Sequence, residues 1–196
     1  MVVMAKISYV KEIDKSGLLR LGIVRGEESF SYIADAKLYA RLGKPDRGSE
    51  ISDEMLCMLA ESDNRIKAKR QALSILSFAD NNEKGLFMKL RRRGFDSEVA
   101  RQTVEEMVEL GYINEQRQLE RIIAVEANGK LRGPRKIISS LVAKGYPSEL
   151  VKKVLRNLCD EGEIDFSENA ERLIEKKLSD PENHEQRKAL LFKNGF

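Results

Sequence analysis

Short-range alternation of apolar and polar positions is confined to the start of the chain. Ile7 to Ile13 carries β-branched and aromatic residues, Leu18 to Val24 is a second apolar run, and Ser29-Phe30-Ser31-Tyr32-Ile33 is a third. Asp14-Lys15-Ser16-Gly17 and Arg25-Gly26-Glu27-Glu28 supply turn chemistry between them, so residues 1–33 predict a small antiparallel β-meander. A few short strands bury little apolar surface, so such a meander needs a neighbour to pack on. Beyond it the apolar period becomes helical. Asp35 to Arg41 predicts a short helix ended by Gly43 and Lys44-Pro45. Ser52 is placed to cap a helix from Asp53 with Met55, Leu56, Met58 and Leu59 on its apolar face, and a further helix runs from Lys67 to about Phe78 until Asp80-Asn81-Asn82 breaks it.

Sliding the chain against itself by 51 positions exposes an internal repeat. Leu86 falls on Ile137, Phe87 on Ile138, Leu90 on Leu141, Gly94 on Gly145 and Phe95 on Tyr146. The register continues through Val104 on Leu155, Gly111 on Gly162, Ile113 on Ile164 and Asn114 on Asp165. A third copy begins at Leu191 and Gly195-Phe196. Agreement in both glycine position and apolar phase marks a duplication. Each copy predicts three short helices. In the second, one helix spans Asn114 to about Asn128, the next starts at Gly133-Pro134, where a missing proline N–H costs nothing, and Gly145 closes it as Gly94 does in the first copy. Ser97 and Ser148 are expected as N-caps, and the third helices present Ala100, Val104, Met107 and Val108, or Val151, Leu155, Leu158 and Cys159, to a core. The predicted organisation is a meander (1–33), connecting helices (34–67), three-helix repeats at 68–113 and 114–163, and a partial repeat at 164–196.

Composition narrows the chemistry. No stretch approaches the roughly 20 apolar residues that span a bilayer, and Met1 to Lys6 lacks a basic segment followed by an apolar one, so a cytoplasmic protein without a membrane partner is expected. Cys57 and Cys159 follow no disulfide or metal pattern and are expected as small core residues. His184 is the only histidine and sits in the polar segment Pro181 to Arg187, which leaves Ser-His-Asp and Cys-His catalysis without a base and any zinc site without a short ligand pair. Gly129-Lys130-Leu131 lacks the earlier glycine and the following Ser or Thr of a P-loop, and Glu27-Glu28 and Glu105-Glu106 are adjacent pairs that point apart on a regular element. The expectation is no enzyme, no cofactor and no metal.

Net charge is only +3, yet Lys84 to Arg156 holds 16 Lys or Arg against nine Asp or Glu, an excess of seven, while the rest of the chain is acidic by four. Such asymmetry suits an anionic partner; a solvated helical surface is the plainer alternative.

The ordered set Leu86 to Leu90 with Gly94-Phe95, Leu110-Gly111-Tyr112-Ile113-Asn114-Glu115, Gly133-Pro134-Arg135-Lys136-Ile137 with Leu141 and Lys144-Gly145, and Lys176-Lys177 with Asp180-Pro181 and Arg187 to Phe196 resembles the bacterial RecX family of recombinase regulators, from about Lys69 to Phe196. Departures from the family pattern are Gly85 in place of Glu, the apolar Phe87 and Met88, Asn114-Glu115 in place of an acidic pair, Gln118 in place of an aromatic, and no third helix after Phe196. The resemblance implies a mainly α fold: tandem homeodomain-like three-helix repeats in an elongated array behind the meander. It also implies a monomer that lies in the groove of a RecA filament on single-stranded DNA and curbs ATP hydrolysis and strand exchange. An array of like modules extends a binding surface along a partner that itself repeats.

Charge nominates the contacts. Lys89, Arg91, Arg92 and Arg93 end one helix; Lys130, Arg132, Arg135 and Lys136 surround the start of its counterpart; Lys144, Lys152, Lys153 and Arg156 follow. Each alone reads as solvated surface, and the cluster as a binding face. Three consecutive arginines cannot share one side of a helix. Without interleaved aromatics the cluster fits phosphates or filament carboxylates better than base readout, so single- or double-stranded DNA is a further candidate ligand. A helix-turn-helix-like regulator acting directly on DNA stays open as the alternative, with Arg101-Gln102 and Lys152-Lys153 on its third helices set against many Glu.

Overall fold

The computed structural model describes residues 4–13 and 17–196. The turn expected at Asp14-Lys15-Ser16 lies outside them. The chain divides into two compact units, Met1–Ser77 with Leu90–Glu105 and Phe78–Lys89 with Glu106–Phe196.

In the first unit, β1 (Ala5–Glu12), β2 (Leu18–Arg25) and β3 (Glu28–Asp35) form the antiparallel meander, and β4 (Glu50–Ile51), which the apolar pattern did not signal, adds to β1, giving the order β3-β2-β1-β4. Alternation puts Ala5, Ile7, Leu21, Ile23 and Ala34 on one face, where they pack with Ile51 and with Leu56 and Leu59 of the helix α2 (Asp53–Phe78). That helix is the neighbour the strands need. The short helix α1 (Ala36–Arg41) follows β3 directly and is capped by Asp35, whose carboxylate accepts the Leu38 N–H at 2.7 Å. Opposite Tyr9 in the β1/β2 register stands Gly22, where a Cβ would lie 2.2 Å from the Tyr9 ring; only glycine lets the ring cross the strand.

The two helices expected between Asp53 and Phe78 are one. Ser52 caps it as predicted, its hydroxyl accepting the Met55 N–H at 3.2 Å. The polar run Glu61-Ser62-Asp63-Asn64 does not break it, because Asp63 is buried with partners: it accepts the Ile33 N–H of edge strand β3 at 2.9 Å and pairs with Lys67 at 2.6 Å. A buried carboxylate held by a charge-assisted pair and a backbone donor belongs inside a helix as readily as an apolar residue.

Both α3 (Glu83–Arg92) and α4 (Ser97–Glu109) cross the division between the units. Leu86, Leu90, Ala100, Val104 and Met107 are buried, whereas Val108 is exposed, one position past the apolar stripe. Gly94 has φ +90 and closes α3, with the Phe95 N–H reaching back to the Leu90 carbonyl at 3.3 Å.

The second unit carries α5 (Glu115–Ala124), a π-helical turn (Val125–Gly129), α6 (Pro134–Ala143), α7 (Ser148–Asp160), α8 (Phe166–Lys177) and α9 (His184–Asn194). Its core is Leu119, Ile123, Ala127, Ile137, Leu141, Tyr146, Val151, Val154, Leu158 and Ile164. Gln118, the departure from the family's aromatic, is buried with both ends of its amide used: it donates to the Asn81 carbonyl at 3.2 Å and accepts from the Tyr146 hydroxyl at 3.1 Å. Gly145 has φ +99 and ends α6, the Tyr146 N–H donating to Leu141 at 3.2 Å.

The serine caps are displaced by one residue. Asp96 caps α4, its carboxylate accepting the Val99 N–H at 2.8 Å, and Pro147 precedes α7 without a side-chain bond, so Ser97 and Ser148 are first helical residues. An ionised carboxylate is a stronger acceptor than a hydroxyl and takes the cap when both are adjacent. Only Cys57 departs from the expected core role, being exposed; Cys159 is half-buried and packs against the core of the second unit, and both are free thiols. Burial, then the charges of Asp160 and Asp165, push the Cys159 thiol above its usual range, away from nucleophilic use.

Candidate functional site

Pro134, the first residue of α6, contributes no N–H, and the free backbone donors around it are taken by the chain itself. The Gly133 N–H donates to the Asn194 carbonyl at 2.8 Å and the Arg135 N–H to the Gly195 carbonyl at 3.1 Å. The approach is so close that a Cβ on Gly133 would lie 2.3 Å from the Gly195 carbonyl carbon, and one on Gly195, at φ +87, 2.5 Å from the Lys136 backbone nitrogen. Phe196 meets Phe166 edge-on at 6.2 Å between ring centroids. A helix start filled this way has two of its backbone donors already bound, so an anion here would rely mainly on side chains.

Several of the nominated cations have internal partners. Glu126, on the π-helical turn and buried, binds Lys130 Nζ at 2.7 Å and Arg132 Nη1 at 2.5 Å. Burial favours its neutral form, but the hydrogen bond from Lys130 and the charges of Arg132 and Lys130 outweigh that and hold the carboxyl below the usual range. Lys89 donates to the Asn81 side chain at 2.5 Å, Arg91 to the Phe95 carbonyl at 2.6 Å, Lys136 to the Lys193 carbonyl at 3.1 Å, and Lys152 pairs with Glu149 at 2.9 Å. Among the described residues, the side chains of Arg92, Arg93, Arg135, Lys144 and Lys153 make no hydrogen bond or ion pair, and all five are exposed. Arg135, Lys144 and Lys153 belong to the second unit, Arg92 and Arg93 to the first.

Sequence reasoning missed Glu126, which organises half of the second cluster. Its signal was the four-residue spacing to Lys130. The π-helical turn that brings Arg132 to the same carboxylate, with Leu131 at φ +51, left no such trace. Asn128 of that turn donates to the Glu163 carbonyl at 2.9 Å and accepts from buried Asn169 at 2.9 Å, tying it to α8.

The described chain is mainly α, a β-meander followed in sequence by small helical modules with cations on helix ends and loops. Residues 68–107 match the model for "RecX, first three-helix domain". The chain is 31% identical over 182 residues to "Regulatory protein RecX" of Clostridium beijerinckii, covering 90% of this chain and 83% of that one. It is 35% identical over 119 residues to the same-named protein of Trichlorobacter lovleyi, covering 59% and 75%. The fold is shared with "Crystal structure of regulatory protein RecX", TM-score 0.73 at 19% identity over 98% of this chain and 94% of that one. It is also shared with RecX from Lactobacillus salivarius, TM-score 0.60 at 23% identity over 68% and 89%. The chain belongs to the RecX family of regulatory proteins. Among the described residues no helix is long and apolar enough to cross a membrane.

Proposed function

We propose that this protein acts without chemistry of its own, as a cytoplasmic monomer that binds RecA filaments on single-stranded DNA and lowers their ATP hydrolysis, growth and strand exchange. The observation that carries the reading is membership of a family whose relatives are named regulatory protein RecX. The modules taken as its units are 68–113, 114–163 and the partial 164–196. Arg92, Arg93, Arg135, Lys144 and Lys153, with side chains free of internal partners, are the strongest contact candidates within the nominated set. Lys130 and Arg132 act there mainly through the fold, since Glu126 already neutralises them in part. Groove insertion of a third helix is disfavoured in α4, whose surface carries exposed Glu98, Glu105 and Glu109 beside its single cation, Arg101.

Titration of the protein against RecA preassembled on single-stranded DNA with ATP tests this reading. The expected result is a dose-dependent fall in ATP hydrolysis and strand exchange at stoichiometric amounts. Unchanged rates with intact filaments would remove it.

A further inference from the structure

Within the second unit an open cleft of about 390 Å³ lies beside the start of α5, lined by Asp80, Tyr112, Asn114, Arg117, Gln118 and Arg121. Its volume is in the range of small-ligand sites. Four of these side chains are occupied: Asn114 caps α5 by accepting the Arg117 N–H at 2.9 Å, Gln118 is used at both ends, and Arg121 and Asp80 pair with each other. Two are not. Tyr112 is 55% exposed, and the exposed Arg117 guanidinium has no partner among the described residues.

The repeat provides an internal control for both. One copy further on, the same loop is Gly162-Glu163-Ile164-Asp165. Gly111 and Gly162 have φ +74 and +75; the Tyr112 and Glu163 N–H groups reach Met107 and Leu158 carbonyls at 2.9 Å in both; Ile113 and Ile164 are buried; Asn114 and Asp165 cap the next helix. The backbone device is the same, while Glu163 stands at the position of Tyr112 and Glu168 at that of Arg117. The turn therefore requires neither the aromatic nor the cation, and the first copy alone sets a bare ring beside a free guanidinium.

We propose that this cleft binds one nucleotide of a single-stranded nucleic acid, Tyr112 stacking on the base and Arg117 meeting an adjacent phosphate. An unpaired base offers a face that any aromatic can cover, whereas a duplex keeps its bases stacked and out of reach. An acidic peptide would meet Arg117 but would gain little from the ring. The site supplies the aromatic that the basic cluster lacks. It does not rest on the filament reading, since its ligand is bare strand.

The test is fluorescence anisotropy of a labelled oligo-dT with the full chain, with helicity of each variant checked by circular dichroism. Tyr112→Ala is expected to weaken binding about tenfold and Tyr112→Phe to retain it, the range that one stacked base supplies. Arg117→Ala is expected to reduce the slope of log affinity against log salt by about 0.7, one single-strand phosphate. The double change Tyr112→Glu with Arg117→Glu, which copies the next repeat, should abolish the site with helicity intact. Equal binding by all variants, or no binding by the unaltered chain, overturns the proposal. So does competition by duplex, by poly-glutamate or by dTMP as strong as that by oligo-dT at equal monomer concentration; these would mark a groove reader, a general anion site or a free-nucleotide site. Unchanged RecA rates with an unaltered chain that does bind the strand would count against the filament reading alone.

Discussion

Asn82 and Gly133 occupy the same place in successive repeats, 51 residues apart, and start their helices in different ways. Both give the first carbonyl to the helix, accepting from Leu86 at 2.9 Å and Ile137 at 3.1 Å. Asn82 then serves its helix with its own side chain, accepting the Gly85 N–H at 2.7 Å and donating to the Lys144 carbonyl at 3.0 Å. Gly133 has no side chain to offer, and the segment after α9 lies where one would stand. The repeat thus fixes backbone positions, while the side chains at those positions are free to follow whatever each copy packs against. The same holds at Tyr112 and Glu163.

Exchange at the helix starts should have the largest effect. Gly133→Asn, which makes the second start resemble the first, is expected to cost about 3 kcal/mol, because its Cβ meets backbone rather than a movable side chain. Asn82→Gly should cost only about 1 kcal/mol, a cap and one long-range bond. Thermal or urea denaturation measures both, and equal losses would undo the distinction.

Glu126→Gln is expected to come next, at about 2 kcal/mol near neutral pH, since Lys130 and Arg132 lose their shared anion. With the folded carboxyl held below its unfolded value, its contribution is complete above the ordinary carboxylate range and is lost as pH falls through the folded value. The stability curves of the parent and Glu126→Gln should therefore converge in acid; a gap constant with pH would show that the ion pairs contribute nothing.

The smallest effects belong to the helix-ending glycines. Gly94→Ala and Gly145→Ala should each cost about 1 kcal/mol from positive φ alone. Gly145 should lose slightly more, because its Cβ would also press on the Lys84 side chain at 2.8 Å while Gly94 meets nothing within 4 Å. Identical losses would confine the difference to backbone.

The pattern of the chain carried what depends on local period and turn chemistry. The three strands, Asp35 and Ser52 at helix starts, Pro134 within the first turn of α6, and Gly94 and Gly145 at helix ends were all legible in the order of the amino acids. What it did not carry depends on partners distant in sequence. That the helices expected from Asp53 and from Lys67 are one shows only once the Ile33 N–H is placed against Asp63, β4 is two residues with no period, and Val108 differs from Val104 only by which side of α4 it falls on. In the candidate interface, charge identified the cations but not which were already paired. That required Glu126, Asn81 and the Lys193 carbonyl, none of which has a sequence spacing that announces the contact with Arg132, Lys89 or Lys136.

The two hydrogen bonds that Gly133 and Arg135 give to Asn194 and Gly195 have a bearing on cooperativity. They close a long loop of chain, and loop-closure entropy rises only slowly with length, so the fastening is inexpensive to maintain once α9 is seated. Fraying of α9 must then release both amides at the start of α6, and opening at the chain's last helix is felt one module earlier as a nearest-neighbour coupling. Hydrogen exchange at Gly133 and Arg135 thus becomes a local gauge of how often the final module lets go, and their protection should match that of the α9 amides rather than that of neighbouring Ile137.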